Sequence, residues 1–264
     1  MPNFIAFLRR SLADLDPYPA FLLATLLILM VSLPLLWKVF GMQVMLQGWA
    51  LAVFVQVLFV LYILYKSWGW WNTLRAAVGV VLLAWAAQAI DLLQGYPFGN
   101  YHFSEMLQPH VMGVPLLIPM LWLMMLPPAW AVAKLITHKV SGCLLRPLFI
   151  LVSAIAFTAW DFYLDPQMVR WGVWEWAATP GYFGTPWLNF VGWLVVSVVI
   201  TFAISPKRLP GGSLILIYAL TWVVEFFSLL LVWGLSLPAL VGFCLMGGML
   251  LWAALNIKIT INAA

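Results

Sequence analysis

The chain has 264 residues, 66% of them hydrophobic and only 8% charged, where a soluble domain carries about 25% charged residues. That composition excludes a soluble globular protein and points to an integral membrane protein with no length to spare for a soluble domain. The net charge of +4 arises from 12 basic and 8 acidic residues, which does not suggest nucleic acid as a partner.

In chain order, Arg9 and Arg10 are followed by the polar, proline-containing stretch SLADLDPYPA rather than by a signal-peptide core, so the first apolar run reads as a retained helix. Apolar runs of about 20 residues mark spanning helices. Eight are predicted, over 19–37, 44–65, 74–93, 114–135, 145–164, 187–205, 213–232 and 237–256. The last two, joined near Trp233 to Leu237, read as an antiparallel hairpin; a seven-span alternative would fuse or bury one of them. With eight spans and a cytoplasmic N-terminus, one side receives Arg9, Arg10, Lys66, Arg75, Lys134, Lys139, Arg146, Lys207, Arg208 and Lys258, and the other only Lys38 and Arg170. This asymmetry obeys the positive-inside rule. The expected fold is an all-α polytopic helix bundle, a single membrane domain over 1–264 in the bacterial inner membrane, with both termini cytoplasmic. Cys143 and Cys244, isolated in apolar contexts, read as packing residues.

The two longest loops, 94–113 and 165–186, then fall on the outer face. Each precedes a similar motif: GVPLLIPMLW from Gly113 to Trp122 and GTPWLNFVGW from Gly184 to Trp193 both read G-x-P-x-L-x-x-x-x-W. GYPFG (Gly95 to Gly99) stands in the first loop and GYFG (Gly181 to Gly184) in the second. Spans 3–4 and 5–6 therefore read as two copies of one unit related by an axis along the membrane normal, with an active site between them.

Acids in lipid carry the chemistry. Asp91, Asp161, Asp165 and Glu225 lie within or at the end of spans, where a carboxylate costs about 2.5–3.5 kcal/mol at mid-depth and suggests function. Asp161 and Asp165 are one helical turn apart and share a face. Pro166 is expected to end the helix, leaving Asp161 the deeper group and Asp165 the more superficial, with Arg170 as a possible structural partner for the latter. Asp91 is the alternative acid, and Glu225 equally suits a structural hydrogen bond. No late span has a central Lys, which argues against a retinal Schiff base. His102, His110 and His138 lack metal-binding spacing, and no nucleotide loop or G-x-S-x-G is present. Trp160, Tyr163, Trp171, Trp174, Trp176, Tyr182, Phe183, Trp187 and Trp193 crowd the second loop, and Phe98, Tyr101 and Phe103 the first. An interfacial belt explains many of them. Aromatic faces also stabilise cations, and an acid in an aromatic pocket can protonate an alkene and hold the carbocation.

Taken together, GYPFGNYHF…GVPLLIPMLW, AWDFYLDPQMV…WGVWEW and GYFGTPWLNFVGW resemble the membrane family of CruF-type carotenoid 1′,2′-hydratases and bisanhydrobacterioruberin hydratases, over about 80–200. Where that family often has a glutamate seven residues before the first loop glycine, this chain has Gln88, and the nearest carboxylate is Asp91. The resemblance implies addition of water across the terminal double bond of a carotenoid of the lycopene or γ-carotene type, without a cofactor or metal. Membrane lipid and other enzymes of carotenoid biosynthesis are the further partners to expect. Asp161 becomes the candidate acid, Asp165 the water-orienting group and Asp91 the competitor for either role. Trp160, Tyr163, Trp171, Trp174, Trp176, Tyr182, Phe98, Tyr101 and His102 are candidate substrate contacts, and Asn189 a candidate to orient water. A carotenoid cyclase using the same acid, or a proton-coupled lipid transporter, are the alternatives.

Overall fold

The computed structural model describes residues 2–177 and 181–257. Lys258 and positions 178–180 of the second loop lie outside the described residues. The helices are α1 (Pro2–Ala13), α2 (Pro17–Phe40), α3 (Met42–Trp68), α4 (Trp70–Gln94), α5 (Leu117–Thr137), α6 (Leu145–Trp171), α7 (Trp187–Ile204), α8 (Gly211–Leu231) and α9 (Ser236–Leu255). Eight of these, all but α1, are long and apolar enough to span a bilayer. The protein is an integral membrane helix bundle, and helices satisfy their own backbone groups where lipid offers no partner.

Burial sorts the bundle. In α5, 83% of the apolar window is buried, against 22% in α2. Accordingly α5 runs through the centre, packed against α3, α4, α6, α8 and α9, whereas α2 lies outside, mainly on α3. The amphipathic α1 was not expected as a helix. It buries Phe4 and Ser11 and packs on α8 with Arg9 and Arg10 exposed, as an interfacial helix does.

Two of the span boundaries that differ from the sequence expectation shape the site. The fourth span opens at Leu117 rather than 114, because Val114–Pro115 (β3) pairs with His110–Val111 (β2) as a hairpin. The fifth does not end at Pro166. α6 runs on to Trp171 and stops at Gly172, whose left-handed φ of 69° is easy only for glycine. Pro166 removes the N–H that would bond the Phe162 carbonyl, but its fixed φ suits a helix, and membrane helices tolerate the loss where neighbours surround them. Pro166 is itself buried.

The duplicated unit is visible in the backbone. α4 and α6 both end on a left-handed glycine, Gly95 and Gly172. Each is followed by a short strand, β1 (Tyr101–Phe103) or β4 (Trp174–Trp176), then a tight turn and a helix. The turns match residue for residue: Met112–Gly113 and Phe183–Gly184 all have positive φ, and Val111↔Val114 and Tyr182↔Thr185 close them. Two consecutive positive φ values suit a two-residue hairpin loop. Helices α5 with α6, and α4 with α7, pack across the two copies. β1 pairs antiparallel with β4, tying the two long loops into one ribbon.

Candidate active site

The site is built where the two copies meet. Asp161 and Asp165 project from one face of α6 and are 0% and 1% exposed. Asn189, in the first turn of α7, comes between them: its Nδ2 donates to Asp161 Oδ2 at 3.2 Å and also to Asp165 Oδ2. An amide nitrogen carries two hydrogens, one for each carboxyl. Asp161 Oδ1 is buried with no protein partner among the described residues. Such an orphan costs about 1–3 kcal/mol and calls for a functional reason. Because α6 continues past Pro166, Asp165 is as deeply covered as Asp161 rather than superficial. Arg170 is exposed and makes no ion pair with it; the salt bridge found among the described residues joins Lys66 and Asp16 at 3.3 Å.

The ribbon supplies the roof. Side chains alternate along a strand, so Tyr101, Phe103, Trp174 and Trp176 face inward while His102 and Glu175 face out. The inward rings touch: Tyr101–Phe103 at 5.1 Å, Tyr101–Trp176 at 5.5 Å and Phe103–Trp174 at 6.0 Å between centroids. On the bundle side Trp122 and Trp193, the matching tryptophans of the two motifs, stack at 4.7 Å and 16°. Phe157 and Trp160 pack against them. These four inward rings, with Gln88, Asp165, Asn189 and Trp193, line a cavity of about 20 Å³, room for one water. The Tyr101 hydroxyl donates to Gln88 Oε1. Burial first, then Asp91 and Asp165, push its phenol well above the usual tyrosine range, so it stays protonated and remains a donor.

Other candidates lie elsewhere. Asp91 is buried; its Oδ1 accepts the backbone N–H groups of Phe98 at 2.5 Å and Gly99 at 3.3 Å and so folds the first loop, while its Oδ2, like Asp161 Oδ1, has no protein partner among the described residues. Phe98 packs edge-on against Trp122, and its carbonyl accepts Trp176 Nε1 at 3.3 Å. Tyr163 turns the other way and donates to the Trp222 carbonyl at 3.3 Å. Trp171 packs between Trp49 and Trp233. Tyr182 packs edge-on against Phe162 and Phe190 along α6 and α7. His102 is exposed on the ribbon's outer side. Gln88, Phe103, Ile118, Leu121 and Trp193 line the cavity and were not among the sequence candidates. The repeat could have found Gln88: it precedes Gly95 by the same seven positions that separate Asp165 from Gly172.

A family model described as carotenoid biosynthesis protein matches residues 47–249. The chain belongs to the carotenoid biosynthesis protein family. The matched region of this family member takes in α4–α7, both long loops and every cavity residue, and omits α1 and α2. A bisanhydrobacterioruberin hydratase from Haloarcula japonica is 27% identical over 122 residues, which is 46% of this chain and 40% of that protein. The match therefore spans less than half of either. No solved structure matches.

Proposed function

We propose that this carotenoid biosynthesis protein is a hydratase that adds water to the terminal isoprenoid double bond of a carotenoid. The observation that carries the reading is the pair of buried carboxyls on one amide, beside a one-water cavity under four aromatic rings. Family membership and the printed name of the relative support the substrate class and the water. In the proposed reaction the carboxyl of Asp161 gives its proton to the less substituted alkene carbon. The π pair becomes the new C–H bond and a tertiary carbocation remains. Aromatic faces hold that cation. Water oriented by Asp165 and Asn189 adds through an oxygen lone pair, and its released proton passes to Asp165. A proton returned from Asp165 to Asp161 resets the site, so the net change is one water consumed and one tertiary alcohol formed.

A cyclase would use the same acid but exclude water and let an internal alkene capture the cation. The cavity beside Asp165 and Asn189 favours water. Expression in a lycopene-producing host tests this. A pigment heavier by one water is the expected product; a ring of unchanged mass would establish the cyclase, and no new pigment in the presence of accumulated protein would remove the enzymatic reading. In the membrane we place both termini in the cytoplasm and the aromatic ribbon on the outer face, following the distribution of basic residues.

A further inference from the structure

The end of the bundle opposite the ribbon carries a second built feature. The ends of α5, α6 and α7 and the connection to α8 enclose a bay of about 750 Å³ lined by Lys134, Arg146, Lys207 and Arg208. A second depression of about 620 Å³ adds Arg75 and shares Lys207 and Arg208, so positions 205–208 form the wall between the two. No carboxylate lines either one. The acids nearest in the fold, Asp14 and Asp16, lie in a separate depression with Lys66. Cations that share a lining without a carboxylate repel one another, which favours an anion there.

The wall is held in a costly shape. Ser205 and Arg208 have φ of 46° and 52°, uncommon for residues with a side chain and often kept where function requires it. Lys134 Nζ donates to the Leu209 carbonyl at 2.8 Å, and Arg146 Nη2 to Ser205 Oγ at 3.1 Å. Arg146 also sits 4.7 Å above the Phe202 ring. Each cation keeps donors to spare. Thr137, His138 and Thr201 also line the bay, and Val140, Leu145, Phe149 and Ile150 give it an apolar floor. That floor continues onto the exposed Leu151 and Ile155 of α6, a lipid-facing track one turn apart. A free phosphate would use the cations and leave the apolar floor bare. A phospholipid would use both.

We infer that this bay is a binding site for an anionic phospholipid, with the headgroup phosphate on Arg146, Lys207 and Arg208 and an acyl chain along α6. Basic pockets between membrane helices take such headgroups elsewhere. The test is native mass spectrometry of the full chain in neutral detergent, titrated with phosphatidylglycerol, phosphatidylcholine or glycerol 3-phosphate. Phosphatidylglycerol should be retained about tenfold more strongly than phosphatidylcholine, and glycerol 3-phosphate not retained. Arg146→Gln/Arg208→Gln should abolish the preference. Lys207→Gln, whose side chain is exposed, should weaken it without touching the bonds that pin the wall. Arg9→Gln/Arg10→Gln, on α1 outside both depressions, should keep it. Equal retention of the two lipids, retention of glycerol 3-phosphate, or an unchanged preference in the double variant or in Lys207→Gln would each overturn the inference.

Discussion

Asp161→Asn keeps the side chain's volume and hydrogen-bonding capacity but has no acid proton to give. On the proposed reaction it should abolish the hydrated pigment while the protein still accumulates in the membrane; near-wild-type pigment would take Asp161 out of the acid role. Asp165→Asn should also be severe, because the proton shed by water loses its acceptor. Asn189→Leu preserves bulk and removes the amide that holds the two carboxyls; product at matched protein level should fall about tenfold or more, the scale of losing one positioned hydrogen-bond donor to a reacting group. The tryptophans separate by position. Trp174 and Trp176 face the cavity, whereas Trp171 packs against Trp49 and Trp233. If the ribbon rings hold a cation, Phe should be tolerated far better than Leu at 174 or 176, by up to about thirtyfold for about 2 kcal/mol of cation–π stabilisation. At 171 the two replacements should act alike on turnover and show their effect in thermal stability. Indistinguishable Phe and Leu variants at both 174 and 176 would move the cation to the Trp122–Trp193 wall.

Between elements, the ribbon is the one cover over the acids that no helix continues through. The cavity beneath has room for one water, and on the proposed reaction an isoprenoid end displaces the roof to reach Asp161. His102 and Glu175 stand opposite each other on its outer side, at about 5.5 Å between Cα atoms for a hydrogen-bonded antiparallel pair, within disulfide range. With Cys143 and Cys244 replaced by Ser, a His102→Cys/Glu175→Cys pair should lose product formation when oxidised and regain it on reduction. Full activity in the oxidised form would mean the substrate enters without the ribbon opening. This pairing was not legible in the sequence. Each strand has only three residues, and its partner lies about 70 positions away, so no local periodicity announces it. The spans were legible because a bilayer demands about 20 apolar residues per crossing. Pro166 misled because its usual cost applies to an isolated helix, and α6 is packed on several sides. Composition could not say which aromatics form a belt and which line a cavity. Strand alternation decides that, and the strands were unseen.

For the whole molecule, the alternation of spans leaves Lys66, Arg75, Lys134, Lys139, Arg146, Lys207 and Arg208 at one end and the ribbon at the other. Reporter fusions after Lys139 and Lys207 should read as cytoplasmic, and fusions within 100–108 and 170–177 should not. A periplasmic signal at Lys139 would reverse the orientation proposed above. Asp161 and Asp165 were legible as a pair from their spacing, and their position between two copies followed from the repeat. Asn189 was legible as a candidate to orient water, but its bridging of the two carboxyls needed the fold, because α7 reaches α6 only through packing of one copy's helices on each other.

The two halves are alike in backbone and unlike in chemistry. Counting back from Gly95 and Gly172, Asp161 and Asp165 of one half face Ala84 and Gln88 of the other; counting on from Gly113 and Gly184, Asn189 is answered by Ile118. A duplicated ancestor with identical halves would have offered twin reaction centres. On the proposed reaction, only one half carries the acids. A single centre of the proposed kind would not modify both ends of a symmetrical carotenoid in one docking; the substrate would have to leave, turn end for end and return. On the proposed reaction, a time course with such a substrate should therefore show the singly hydroxylated pigment rising first and the doubly hydroxylated one after a lag, with free intermediate in the membrane. Simultaneous appearance of the doubly modified pigment without that intermediate would require a second centre, for which the other half offers no acid at the matching positions.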